Sequence, residues 1–359
     1  MRARATSFAA SCSMLELPAR PQGDELIRTA GLTKHFRLGG FLSRRFLHAV
    51  DDINLSIHED EIVALVGESG SGKSTIARLI ARVYRPTAGE IFHRGRSVST
   101  MRSHREVLEY RGHVPMVFQD PYGSLSPVYR VSHGIMRALK LHRRDLSREG
   151  RETEAERLLE AVGLVPARDF LVKFPYQLSG GQRQRIGFAQ ALACRPELIL
   201  ADEPVSMLDV SVRIGVLNLM ASLRRRERIS FLYITHDIAS ARYVADRLVV
   251  MYAGQVAESG PVEDVLAHPK HPYTQLLLSA VPDPRAPIAL PATSEVQEPP
   301  RVIDPGEGCR FRSRCPYAIE ECSRVTPRLR LLRPAHEAAC HVATSDLAPS
   351  AIDKDASVR

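Results

Sequence analysis

The segment GESGSGKST, Gly67–Thr75, constrains the fold more than any other stretch of the chain. It follows a short apolar run, Glu61–Val66, that reads as a strand, and it opens directly into a helix expected over residues 72–83. Gly67, Gly70 and Gly72 allow the backbone to curl so that successive N–H groups, with Glu68, Ser69, Ser71 and Thr75 filling the loop, face one anion. The N-terminus of the helix adds partial positive charge, Lys73 supplies a cation for the outer phosphates of a nucleotide, and the Ser74 hydroxyl can ligate Mg²⁺. A Gly/Ser-rich turn that binds nothing is the bland reading. Strand, loop, Gly-Lys-Ser and helix in one register argue against it.

A second apolar run, Leu198–Ala201, ends in adjacent acids, Asp202 and Glu203, which would be costly to bury without a cation. Between the two lies LSGGQRQRI, Leu178–Ile186. This nonapeptide resembles the signature of the ATP-binding cassette (ABC) family, and the resemblance extends over roughly residues 26–280. It implies an α/β P-loop fold: a RecA-like core, an antiparallel β subdomain and a helical subdomain at about 122–178. The apolar spacing around Ala155–Leu164 agrees with that helical part.

What the resemblance implies for the site is specific. ATP and Mg²⁺ are the expected ligands, with Asp202 holding the metal through water and Glu203 polarising the attacking water as general base. Gln119, in VFQDP, matches the glutamine that reaches metal and water and touches the membrane partner. His236, after the apolar strand Ile229–Thr235, matches the histidine that contacts the γ-phosphate. Asp209 matches the aspartate of a loop between two nucleotide-binding domains, and Met207 stands where alanine is common. Phe36, in LTKHF, matches the aromatic that stacks on adenine, with an ordinary core phenylalanine as the alternative. Alone, each of these would read as a structural or solvated residue. Ser179, Gly180, Gly181 and Gln182 begin a helix running to about Cys194, a second anion-binding end. In the family that end covers the γ-phosphate held by the opposite subunit, so two chains enclose two ATP molecules.

Two stretches narrow the expectation. VFQDPYGSLSP (Val117–Pro127) and HPKHPYTQLLLSAVP (His268–Pro282) look like the ATPases of oligopeptide, dipeptide and nickel importers. HAVDD (His48–Asp52), with the basic insertion before it, looks like the second of the two ATPases such importers contain. The expected partners are two transmembrane permease subunits, a homologous second ATPase or a second copy, and an extracytoplasmic solute-binding protein, with no nucleic acid. The expected location is peripheral, on the cytoplasmic side of the inner or plasma membrane. Alternatives are import of nickel or an oligosaccharide, or a soluble ABC ATPase acting on DNA, ribosomes or iron–sulfur assembly. Such proteins carry a long coiled coil or a second cassette, or lack this tail.

Length and charge fit that picture. The 359 residues suit one domain of about 250 residues with an appendage. No run approaches the roughly 18 apolar residues of a membrane helix, and the N-terminus lacks a secretory hydrophobic core, so a soluble intracellular chain is expected. The net charge of +8 includes the cluster Arg224–Arg226, read as a solvated helix face. The domain plan is an N-terminal extension (1–24), the ATPase domain (25–281), a linker (282–305) with seven prolines, a cysteine module (306–342) and a tail (343–359).

Four of the six cysteines, Cys309, Cys315, Cys322 and Cys340, fall in that module. Grouped cytosolic cysteines read as metal ligands before disulfides, yet their spacing fits neither a common zinc finger nor bacterial ferredoxin. They resemble the tail of peptide importers, which implies a [4Fe-4S] cluster; zinc and unliganded thiols stay open. Cys12 and Cys194 read as incidental. With a linker between them, cassette and module are expected to be independent.

Overall fold

In the computed structural model the described residues are 23–39, 45–280 and 302–345. Most of the N-terminal extension, with Cys12, part of the basic insertion, the bulk of the Pro-rich linker and most of the tail lie outside them.

Strands β1 (Glu25–Leu38), β2 (Arg45–Ile53) and β3 (Ser56–His58) lead to β4 (Ile62–Val66), and the Gly-rich loop then enters helix α1 (Lys73–Ile80). This helix stops earlier than its sequence suggests, because Arg82 adopts a left-handed conformation, φ 59°, that ends it. Next come β5 (Ala88–His93), β6 (Arg96–Ser97), α2 (His104–His113) and β7 (Met116–Val117). The helical region follows: α3 (Pro121–Ser124), α4 (Val131–His142), α5 (Arg148–Ala161), α6 (Ala167–Leu171) and α7 (Gly180–Leu192). After it the chain alternates: β8 (Leu198–Asp202), α8 (Val210–Glu227), β9 (Ser230–Thr235), α9 (Ile238–Val244), β10 (Arg247–Tyr252) and β11 (Gln255–Pro261). It closes with α10 (Val262–Ala267), α11 (Pro272–Ser279), α12 (Glu321–Arg324), β12 (Arg330–Arg333) and β13 (His336–Ala338).

Among the described residues there are two sheets. The antiparallel one runs β2-β1-β5-β6, with β3 also paired to β1. The central one runs β12-β13-β11-β10-β4-β9-β8-β7, and its neighbours from β10 to β7 are parallel. Every residue of β4, β8 and β9 is buried, as expected for parallel strands covered on both faces. The two-residue period of a strand divides these side chains between two cores. Val63, Leu65, Leu200, Leu232 and Ile234 pack with α1 and the antiparallel sheet. Ile62, Ala64, Ile199, Ala201, Phe231 and Tyr233 pack on the helical side with α4, α5 and α7.

The cysteine segment is not independent, contrary to expectation. β13 pairs with β11 through Glu258↔Ala338 and Ser259↔Glu337, and β12 extends the same sheet. The last residues of the expected linker are also fixed: the His48 N–H donates to the Val302 carbonyl at 2.8 Å and the Asp304 N–H to the Phe46 carbonyl at 3.0 Å. At the far edge the fully buried Glu258 carboxylate contacts the equally buried His336 imidazole at 2.6 Å and accepts the N–H groups of Lys270 and His271. A short strand pair can hold here because its backbone completes an existing sheet and a buried polar group waits for it. The arginine run on α8 is likewise not all solvated: Arg224 reaches Asp246 at 2.8 Å and Asp60 at 3.4 Å.

Candidate functional site

Because β4, β9, β8 and β7 are adjacent and parallel, the loops leaving their carboxyl ends form one row, where open α/β sheets place ligands. The Gly-rich loop leaves β4, the acids end β8, His236 directly follows β9, and Gln119 lies two residues beyond β7. Sequence separations of more than a hundred residues thus collapse into one cleft.

The loop is shaped by close approach. Gly72 has φ 101°, and a Cβ there would lie 2.3 Å from the Ala49 carbonyl oxygen, so no other residue fits without moving β2. Lys73 Nζ donates to the carbonyls of Gly67 at 2.7 Å and Glu68 at 2.8 Å, and lies 3.4 Å from Ser71 Oγ. Burial lowers the Lys73 pKa, while the carboxylates of Glu203, Asp202 and Glu68 oppose the shift. Ser69 and Gly70 are exposed at the loop tip, and Ser74 and Thr75 lie in the first turn of α1. Ser74 Oγ donates to Asp202 Oδ1 at 2.7 Å. Burial raises the Asp202 pKa, with the Ser74 bond pulling the other way. A hydroxyl and a buried carboxylate brought together in this way offer the all-oxygen donors that suit a hard cation such as Mg²⁺.

Glu203 sits on the turn after β8 with φ 45°, and its N–H donates to the Ile234 carbonyl at 3.0 Å. Its Oε2 accepts from Gln119 Nε2 at 2.9 Å and lies 3.4 Å from His236 Nδ1. A carboxylate held between an amide and an imidazole at the cleft mouth can receive a proton from water.

Lys73, Ser74, Asp202, Glu203, Gln119 and His236 therefore form one contiguous group. The remaining expected residues lie outside it. Ser179 caps α7 reciprocally with Gln182: the Gln182 N–H donates to Ser179 Oγ at 3.2 Å and the Ser179 N–H to Gln182 Oε1 at 3.0 Å. Gly180 and Gly181 form the first turn, where a Cβ on Gly181 would lie 2.3 Å from Val212 Cγ1. Asp209 is exposed before α8. Phe36 is half-buried on β1, edge-on to Tyr84 at 5.5 Å and under the Lys34 ammonium at 5.2 Å.

Several residues at this cleft have no local sequence signal. Arg314 grips Glu68 with both guanidinium nitrogens, at 2.8 and 2.9 Å. The Glu68 N–H donates to Tyr273 Oη at 2.9 Å. Asp51 gathers Arg310, His35 and His48; burial pushes its pKa up, but their hydrogen bonds outweigh that and hold it below the usual value. Tyr273 belongs to a stretch the sequence had singled out. Nothing distinguishes Arg310 or Arg314 from the other basic residues until the chain is folded.

The thiols of Cys322, Cys340 and Cys315 lie near enough to Cys309 to act on it electrostatically. Burial raises the Cys309 thiol pKa, a hydrogen bond from the Phe311 N–H opposes this, and Cys322, Cys340 and Cys315 raise it further. At Cys315 burial also dominates, with the Tyr317 N–H opposing and Cys340 and Cys322 adding. Two backbone N–H groups aimed at sulfur favour thiolates and are a means by which proteins tune iron–sulfur clusters. Among the described residues, the set of three ligand-type side chains with donor atoms within 4.8 Å of one another is His35, His48 and Asp51. Cys194 is separate, its thiol pushed up to about 11 by burial.

Comparison with known proteins gives two family matches: ABC transporter over residues 50–206, and oligopeptide/dipeptide transporter, C-terminal region, over residues 257–322. A putative peptide import ATP-binding protein of Brucella ovis is 41% identical over 321 residues, covering 88% of this chain and 97% of that one. The oligopeptide transport ATP-binding protein AppF of Bacillus subtilis is 38% identical, covering 89% and 98%. Among solved structures, the dimeric ATP-binding cassette MJ0796 in a post-hydrolysis state, bound to ADP and Pi, matches with TM-score 0.59 and 29% identity, over 66% of this chain and 99% of that one.

Proposed function

The chain belongs to the ABC transporter family of ATP-binding proteins, and on that premise we propose that it is the ATP-hydrolysing subunit that drives a peptide importer. One observation carries the chemistry: Lys73, Ser74, Asp202, Glu203, Gln119 and His236 converge at neighbouring strand ends. The tail that matches the oligopeptide/dipeptide region, and the peptide-import relatives, support the solute class.

In this reading the loop 67–75 binds the phosphates, with Lys73 turning from its own carbonyls to the outer ones. Ser74, Asp202 and Gln119 hold Mg²⁺, which when bound neutralises phosphate charge and orients the terminal phosphoryl group. Glu203 takes the proton of the attacking water, Gln119 and His236 fix that carboxylate, and Phe36 packs on the base. Ser179, Gly180, Gly181 and Gln182, at the start of α7 where Ser179 is exposed, close over the nucleotide of a second ATPase, with Asp209 at the seam. The dimeric state of the MJ0796 cassette supports this arrangement. The four cysteines hold a [4Fe-4S] cluster.

Among the described residues no helix is long and apolar enough to cross a membrane. In this reading transport runs through separate permease subunits, with the ATPase bound peripherally on their cytoplasmic side and an extracytoplasmic binding protein delivering peptide; the peptide-import relatives support it. A groove of about 410 Å³ beside the segment that follows Gln119, lined by Leu125, Tyr129, His133, Arg137 and Leu141, supports docking of a permease segment there. Co-expression with the permease pair in vesicles tests the reading. Uptake of labelled di- or oligopeptides dependent on ATP and on the binding protein is the expected result; uptake of nickel or an oligosaccharide in place of peptide would reassign the solute.

A further inference from the structure

Arg310, Phe311 and Arg314 all lie between the first two cysteines of the tail, yet each reaches the nucleotide cleft. Arg314 forks onto the Glu68 carboxylate across 246 residues of sequence, and its side chain is only 15% exposed. It also stacks 5.8 Å from the rings of Tyr252 and Phe311. Phe311 is buried in an aromatic cluster with Tyr252 at 5.1 Å and Tyr273 at 5.6 Å, and Tyr273 Oη receives the Glu68 N–H. At the other end Arg310 binds Asp51 and the Ala253 carbonyl. Asp51 in turn holds His35, the neighbour of Phe36, and His48, whose successor Ala49 presses on Gly72.

We propose that this segment is a positioning element for the ATP site, with Arg314 setting the phosphate loop through Glu68 and Arg310 setting the base-side strands through Asp51. The inference rests on the reading that loop 67–75 holds the phosphates. Its physical basis is charge and geometry together. Glu68 is an anion inside an anion-binding loop, and left unpaired it would repel the phosphates and compete for Lys73. A bidentate guanidinium neutralises it and fixes its direction, which a point charge cannot do as well. With its N–H engaged by Tyr273 as well, Glu68 is held by C-terminal residues through both main chain and side chain.

The test is a double-mutant cycle on the full chain, titrating the magnesium complex of a non-hydrolysable ATP analogue by calorimetry. Arg314→Ala should weaken binding about 10-fold, as expected for loss of a charge-assisted pair, and Arg314→Lys less. In a Glu68→Gln background the same Arg314→Ala change should cost under about twofold, because the repulsive carboxylate is gone. In steady-state hydrolysis KM should rise with little change in kcat. Unchanged affinity in Arg314→Ala, or losses that simply add across the cycle, would overturn the proposal. Thermal melting of each variant is followed in parallel. If Arg314→Ala does not fold, Arg314→Lys with and without Glu68→Gln carries the same comparison. Absence of binding by the parent chain would instead overturn the ATP-site reading itself, and Lys73→Ala marks that baseline.

Discussion

Glu203 pays for its position with a left-handed backbone, φ 45°, a conformation that costs a non-glycine residue of order 1–3 kcal/mol. Such strain persists where the surroundings hold it, here the Ile234 carbonyl, Gln119 and His236. The purpose of holding it is tested by Glu203→Gln, which keeps shape and hydrogen bonding but removes the base. ATP turnover in the assembled complex should fall by about 100-fold or more while nucleotide binding persists. Near-normal turnover would remove Glu203 from the role of base. At this scale the sequence was legible where chemistry is local: Lys73 and Ser74 follow directly from the loop motif, and two acids closing an apolar strand announce themselves. Arg314 was not legible, because its partner lies far along the chain and its immediate neighbours, Ser313 and Cys315, say nothing about Glu68.

Among the elements, α11 shows how a buried histidine makes the end of the cassette sensitive to pH. His271 caps this helix by accepting the Tyr273 N–H at Nδ1, 3.0 Å, and is 4% exposed. Burial lowers its pKa to about 4, with Glu258 opposing. The folded state therefore keeps His271 neutral where the unfolded chain, with a value of 6.5, takes up a proton. Its contribution to stability is complete above pH 6.5 and is lost as pH falls toward 4, by up to about 3 kcal/mol. His271→Asn, which retains a cap acceptor, should flatten the loss of melting temperature between pH 7 and 4.5; an equally steep loss would place the sensitivity elsewhere. The major helices and the strands β4, β8 and β9 could be read from period and length. β12 and β13, at four and three residues, could not, because nothing in so short a run separates a strand from a loop until a sheet edge receives it.

For the molecule as a whole, joining the cysteine segment to the central sheet changes what a cysteine substitution should do. Were the tail a separate module, Cys309→Ser would leave the cassette untouched. With Arg310, Phe311 and Arg314 carried on the same loop, the substitution should lower the melting temperature of the cassette and weaken ATP-analogue binding several-fold, about 1 kcal/mol. With the cluster proposed above, anaerobic protein should be brown and the same change should remove the colour. Loss of colour without either effect would mean that the loop keeps its shape without metal. The sequence showed the cysteines and the Pro-rich stretch before them, and composition alone made that stretch look like a separation. The contacts of Val302 and Asp304 with β2 show that chain outside the cassette can still be stitched to it.

The pairing of β13 with β11 also sets an order of events during synthesis. Glu258 is made 78 residues before His336, the imidazole that meets it in the folded core. Until the ribosome has released that later segment, the sheet stops at the open edge of β11, a surface prone to pairing with other chains. Nascent chains arrested before residue 336 should therefore be cleaved at β10–β11 by a pulse of protease that the finished chain resists.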